Sequence, residues 1–287
     1  MSLFYYEKIK NWPFVPLVER YTVEDVRVYA EGIGVGMPGP YLDSEAILLS
    51  QENDLQALPM MAIILNQGAM WTQDPNTGID WTKTVHAEES VTLHGVLPNN
   101  ATLVANYGVD EIFDKGSGKG ALMYEHRQLD LEDGTPIATV KIGTFLRGNG
   151  GFGGTSGAAP NAPKVPDHRE ADAVIEIATP SRDNVTYQLG QEFLAGIKSE
   201  LLGSSEPMLR GVCSFGLAGR AILKLACDNQ PARLHHLGLR YIAPVFAEET
   251  LRTEVWFLDE VKAAFRVSSV ERETVVMDNG VAEFNME

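Results

Sequence analysis

The stretch Tyr187 to Gly203 reads YQLGQEFLAGIKSELLG and contains no histidine. Its chemistry rests on Glu192, Lys198, Glu200 and Tyr187. A carboxylate near a buried helix end can have its pKa raised by desolvation and act as a base, which makes Glu192 the candidate proton-transfer group. The alternative for Glu192 is a solvated residue on a loop. Lys198 and Glu200 read as a charged, solvent-facing strip. Tyr187 either packs or turns its hydroxyl into a pocket. A short distance on, Gly211 lies in the apolar helical run LRGVCSFGLAGRAIL. N–H groups at a helix start suit a developing oxyanion, while a glycine there also serves close packing. Arg210 can bind a carboxylate or a phosphate, or neutralise Glu206 nearby.

Other constellations are weaker. Gly148, Gly150 and Gly153 spell G-x-G-x-x-G, but TSGAAPNAP follows where a dinucleotide site needs a helix. Lys115 to Gly120, KGSGKG, fits a hairpin turn and lacks the first glycine of a P-loop, which would fall at Phe113. His86-x-Glu88 has no P-C-x-x-C partner, so it reads as part of a strand rather than a zinc site. His235-His236 precedes a strand with no paired cysteines, and Asp167-His168 reads as surface. Gly211 to Gly216 is G-V-C-S-F-G, not G-x-S-x-G, and Cys213 has no evident histidine partner. No metal and no cofactor is expected.

The elements that must position these residues belong to a chain of 287 residues, 44% apolar and 22% charged, the balance of a globular protein with a sizeable core. A net charge of −16 repels nucleic-acid phosphates and anionic lipid, so neither is an expected partner. Cys213 and Cys227, the only cysteines, lie on apolar helical patterns and read as buried free thiols in a reducing compartment. No secretory signal, lipidation motif or spanning segment is visible, and Asn285-Met286-Glu287 is not a peroxisomal address. A cytoplasmic location is expected.

Gly148 to Pro166, GNGGFGGTSGAAPNAPKVP, supports neither helix nor packed strand and reads as a linker. It separates residues 1–147 from residues 167–287, and the two parts show the same order of elements. Thr22 with Asp25, and Thr179 with Pro180, mark helix starts. Longer helices are expected from Leu58-Pro59-Met60-Met61-Ala62-Ile63-Ile64 and from Leu209 onward, the second apolar on most sides. Alternating strands follow: Leu103, Ala105, Tyr107 and Val109 share one face, as do Leu251, Thr253, Val255 and Phe257. Pro136 to Leu146 closes the first meander, and Ala263 to Phe284 the second.

These segments resemble the MaoC-like dehydratases, in particular the type 2 (R-specific) enoyl-CoA hydratases. In the first part the resemblance rests on YTVEDVRVYAEGIGVG, QALPMMAIIL, GIDWTKTVHAEESVTLHGVLP and FLRGNGGFGG. In the second it rests on LRGVCSFGLAGRAIL and LGLRYIAPVFAEETLRTEVW. It implies an α+β double hotdog, two antiparallel sheets each wrapped round a long central helix. It also implies an active site in the second part and an acyl pocket in a first part that has lost its own site. The family signature runs roughly Y-R-L-S-G-D-x-N-P-L-H-x-D-P, with Asp and His as the acid–base groups and a later glycine N–H polarising the thioester carbonyl. Here Tyr187, Leu189 and an acid, Glu192, remain, but Leu194 stands at the Asn position and Ile197 at the His position. Arg210 replaces the histidine before the glycine, and Gly211 survives.

The resemblance therefore implies a hydratase or dehydratase acting on an acyl thioester, with Glu192 as acid–base group and Gly211 as oxyanion donor. Tyr187 and Arg210 would contact the substrate. Two alternatives stand beside it: a non-catalytic acyl-binding or partner subunit, and a hotdog thioesterase using Glu192 or Glu200. A homodimer, or a hetero-oligomer with a related hotdog chain, is the expected assembly.

Overall fold

The computed structural model describes residues 5–37, 39–45, 48, 55–68, 70–157, 164–166, 168–180 and 208–285. Among these described residues, ten antiparallel strands form one sheet. They are β1 (Leu17–Tyr21), β2 (Thr84–Leu93), β3 (Ala101–Asp114), β4 (Ala121–Leu131), β5 (Pro136–Leu146), β6 (Ala173–Ala178), β7 (Leu234–Tyr241), β8 (Thr250–Phe257), β9 (Lys262–Ser269) and β10 (Thr274–Phe284). Their order across the sheet is β1-β3-β4-β5-β2-β7-β10-β9-β8-β6. Outward from the central β2–β7 pair, each side runs through the same sequence of roles. The strand after the helical segment comes first, then the closing strand, the two middle strands, and the strand that precedes the helical segment. The duplicated order of elements is thus a duplicated topology, joined edge to edge with Glu89 opposite Leu239 and Ser90 opposite Gly238. This joining covers two edges that would otherwise expose unpaired backbone groups.

The α-helices among the described residues are α1 (Tyr6–Lys10), α2 (Val23–Gly32), α3 (Leu42–Glu45) and α4 (Gly211–Ala226). Thr22 and Asp25 form the expected capping box at the start of α2. α4 is the central rod of the second side. Its residues 213–223 are all buried, because nearly every position is apolar or small. At Gly219 a Cβ would lie 2.2 Å from Met60 Cγ, so only glycine lets the two segments meet this closely.

Two features differ from the expected pair of sheets around paired long helices. The sheets are continuous, and the helix expected from Leu58 is a five-residue 3-10 segment, Pro59–Ile63. The backbone explains the second difference. Asn66 and Gly68 both adopt positive φ, which ends any right-handed helix there. The guanidinium of Arg127 then caps the stump, donating from Nη2 to the Ile63 and Ala62 carbonyls at 2.6 and 3.3 Å.

A buried ion group ties the two sides together. Arg220, in the middle of α4, donates to both carboxylate oxygens of Glu45 at 2.7 and 2.8 Å, and Lys224 Nζ lies 3.1 Å from Glu45. Arg220 also reaches the Ile33 carbonyl just past α2. The start of the glycine-rich run is held by Asp114, whose carboxylate accepts from the amides of Gly116, Gly151 and Gly153. Among the described residues, no helix is long and apolar enough to cross a membrane.

Candidate active site

A cavity of about 360 Å³ opens between the start of α4 and the sheet of the other side. Arg210, Gly211 and Val212 form one wall. Gln67, Gly68, Met70 and Trp71, which directly follow the truncated rod, form another. His86 and Glu89 of β2, with Glu125 and Arg127 of β4, line the floor.

Gly211 is the first residue of α4, and Arg210 is the N-cap with no side-chain cap bond. The amides of Gly211 and Val212 therefore have no acceptor within the helix. Both readings of the glycine stay open. Its amide lies at a positive helix end with no acceptor among the described residues, and a Cβ on it would lie 3.3 Å from Tyr241 Cζ. Arg210 lines the same cavity, and among the described residues it makes no ion pair. Glu192 and Tyr187, like Ile197, Lys198, Glu200 and Glu206, lie outside the described residues.

The charged floor is what motif reading missed. In a strand alternate side chains share a face. Glu89 is in phase with Val91 and Leu93, which are 0% and 6% exposed, and is itself only 3% exposed. Glu125 and Arg127 are in phase with Met123 and Leu129, both fully buried. The visible signal was a charge at a core-facing step of an alternating strand. Glu88, one residue from Glu89, points the other way and accepts from Tyr124 Oη at 2.8 Å and Arg240 Nε at 2.9 Å.

Glu89 sits close to the start of α4. Tyr241 Oη is 2.8 Å from Glu89 Oε2 and 2.9 Å from the Gly211 carbonyl oxygen. Burial and the neighbouring Glu89 push the Tyr241 phenol well above its ordinary value, so it remains a donor. Its single proton serves two acceptors. His86 Nε2 lies 3.7 Å from Glu89 Oε2, beyond hydrogen-bond range, and has no hydrogen-bond partner although it is buried. The His86 and Tyr241 rings meet edge to face with centroids 5.1 Å apart.

Burial pushes the Glu125 carboxyl up to about 7, although it accepts from Trp71 Nε1 at 2.7 Å and lies near Arg127. Burial also lowers Arg127, which is 4% exposed and whose Nε has no partner. The two cysteines are buried free thiols, both raised to about 12 by burial, which makes neither a nucleophile. His236 is engaged by Thr92, Nδ1 to Oγ1 2.8 Å.

Comparison with known proteins agrees with this layout. Residues 20–148 match the family model of the MFE-2 hydratase 2 N-terminal domain, and residues 197–280 match that of the MaoC like domain. The 3-hydroxyacyl-thioester dehydratase Y of Mycobacterium tuberculosis is 31% identical over 94% of each chain. A probable enoyl-CoA hydratase 2 of Dictyostelium discoideum is 28% identical over 96% of this chain and 95% of its own. A MaoC-like dehydratase from Phytophthora capsici, solved by crystallography, superposes with a TM-score of 0.82 at 27% identity, covering 98% of this chain and 99% of its own. The matched segments fall on the two sides of one duplicated sheet, in the order the double-hotdog resemblance requires. The chain belongs to the MaoC-like dehydratase family, in its type 2 enoyl-CoA hydratase branch.

Proposed function

We propose that this chain adds water to the double bond of an enoyl thioester, or removes it from the corresponding (3R)-hydroxyacyl thioester, with coenzyme A as carrier. The observation that carries this reading is the uncapped start of α4 at Gly211, opening on a cavity that also holds ionisable side chains. The reaction passes through an enolate, so a fixed N–H donor at the carbonyl oxygen lowers its barrier. Gly211 N–H fills that role. Arg210, with no ion pair among the described residues, is placed for a carboxylate or phosphate of the substrate. Glu192 is the carboxylate that moves the proton, and Tyr187 is assigned to substrate contact. Residues 167–287 then carry the donor and Glu192, residues 1–147 supply the acyl pocket, and residues 148–166 connect them.

The test is hydration of a panel of trans-2-enoyl-CoA esters, followed by chiral analysis of the 3-hydroxy product. Turnover to the R product, reduced about a hundredfold or more in Glu192→Gln, supports the reading. Free thiol release instead of hydration would redirect it to a thioesterase. A second reading has one observation in its favour, Ile197 at the family's histidine position. On that reading the chain is a non-catalytic subunit, and activity would appear only with a co-purified hotdog chain.

A further inference from the structure

We propose that His86 supplies the imidazole of this active site and that Glu89 is the carboxylate that positions it. This rests on the hydratase reading above. Hydration of an enoyl thioester needs two proton transfers, one from the attacking water and one to the α-carbon. Glu192 accounts for one, and Ile197 cannot perform the other.

The geometry that points to His86 is independent of residues 181–207. His86 lines the same cavity as Gly211 and Arg210. A buried ring nitrogen without a partner is costly in a folded protein. His86 Nε2 is one, and the nearest acid, Glu89 Oε2, is 3.7 Å away. A shift of under an ångström brings the two into hydrogen-bond range. The tautomer with hydrogen on Nε2 then faces Glu89, which leaves Nδ1 as the nitrogen available to a substrate. Nδ1 makes no hydrogen bond among the described residues. Glu89 is rigidly placed, its side chain 1% exposed and held by Tyr241. The same Tyr241 hydroxyl touches the Gly211 carbonyl oxygen, so one framework joins Glu89 to the start of α4, with the His86 ring edge-to-face against it. Arg127, buried nearby, and Tyr29 are further titratable groups that face Glu89 among the described residues.

The step balances as follows in the hydration direction. Glu192 takes a proton from water as the water oxygen bonds to the β-carbon. The π pair moves to the α-carbon and carbonyl, and the enolate oxygen is held by Gly211 N–H. The imidazolium of His86 gives its proton to the α-carbon, and the enolate pair becomes that new C–H bond. The proton left on Glu192 returns to His86 through solvent, and the net change is one water added.

The experiment uses the full chain with trans-2-butenoyl-CoA and trans-2-decenoyl-CoA. His86→Gly is expected to lower kcat about a hundredfold or more, with KM changed by less than about threefold. Added imidazole is expected to restore at least about tenfold of that loss in His86→Gly, and nothing in Glu192→Gln. Glu89→Gln keeps an acceptor for Tyr241 and is expected to lose about tenfold in kcat, without imidazole rescue. Thermal melts of each variant separate these losses from unfolding. Turnover of His86→Gly close to wild type, or a loss that imidazole does not restore, overturns the role of His86 and leaves the hydratase reading standing. Failure of the wild type to hydrate either ester overturns both.

Discussion

The two sides of the sheet share a strand order but not a centre. The second side packs around a 16-residue helix, α4, and the first around a single 3-10 segment of five residues. The cavity lies where the first rod stops. Its wall residues Gln67, Gly68, Met70 and Trp71 continue directly from the left-handed turn at Asn66. The first rod ends at Ile63, and β2 and β4 do not present a purely apolar face to the cavity beside it. Those strands instead carry His86, Glu89, Glu125 and Arg127. The cavity is thus built from unequal parts: a helix start from one side, and His86, Glu89, Glu125 and Arg127 from the other.

The comparison breaks first at the contact between the sides. If α4 is held by the first side, cutting Glu45 from Arg220 should destabilise the whole molecule. Glu45→Gln leaves a buried guanidinium and a lysine without their counter-charge. The expected loss is about 3–5 kcal/mol, read as a lower urea midpoint in a single transition. Two separate transitions would show that the sides fold independently. The pH dependence has a definite sign. Burial alone would raise Glu45, but hydrogen bonds and charge from Arg220, then Lys224, hold it below the ordinary carboxylate value. Its contribution is complete above the unfolded carboxylate pKa and is lost as pH falls through the folded one, so wild type and Glu45→Gln should converge in acid.

The helix start gives the next effect. Proline is tolerated at the first position of a helix, and Arg210, at φ −62° and ψ 144°, already has the conformation proline requires before it. Gly211→Pro therefore removes one N–H without removing the helix. Gly211→Ala is the control, since it adds the same Cβ against Tyr241 and keeps the amide. The proline variant is expected to lose about 10²-fold more kcat than the alanine variant. Equal losses would mean that the glycine serves close packing alone.

Much of this arrangement was legible from residues in order along the chain. The alternation of Leu103, Ala105 and Val109 and the apolar run after Gly211 each depend on near neighbours, and both appear as read. The first rod was misread because Leu58 to Ile64 has helical apolar character. What stops it is the conformation of Asn66 and Gly68, set by packing against Leu17, Glu19 and Tyr107. The Glu45–Arg220 pair spans 175 positions, and no local pattern reports it. Glu89 and Glu125 were readable in principle, as acids in phase with core residues. An acid at such a step is informative only once the opposite wall is known, and that wall is built by α4 from the other side.

Glu125 offers the smallest effect and the sharpest contrast with Glu45. Both are carboxylates set into the protein, but Glu45 has cations on both sides, whereas Glu125 faces a cavity and has its pKa raised by burial to about 7. The linkage sign is therefore opposite. Glu125 favours the folded state fully below the unfolded carboxylate pKa, and that contribution is lost as pH rises through about 7. Glu125→Gln keeps an acceptor for Trp71 and removes the titration. Relative to wild type, the variant should gain about 2 kcal/mol in unfolding free energy between pH 5 and pH 8. Urea titrations at the two pH values measure this directly. If the difference is flat with pH, the floor of the cavity is solvated, and the first side does not hold its charges in the water-poor setting that its shortened rod implies.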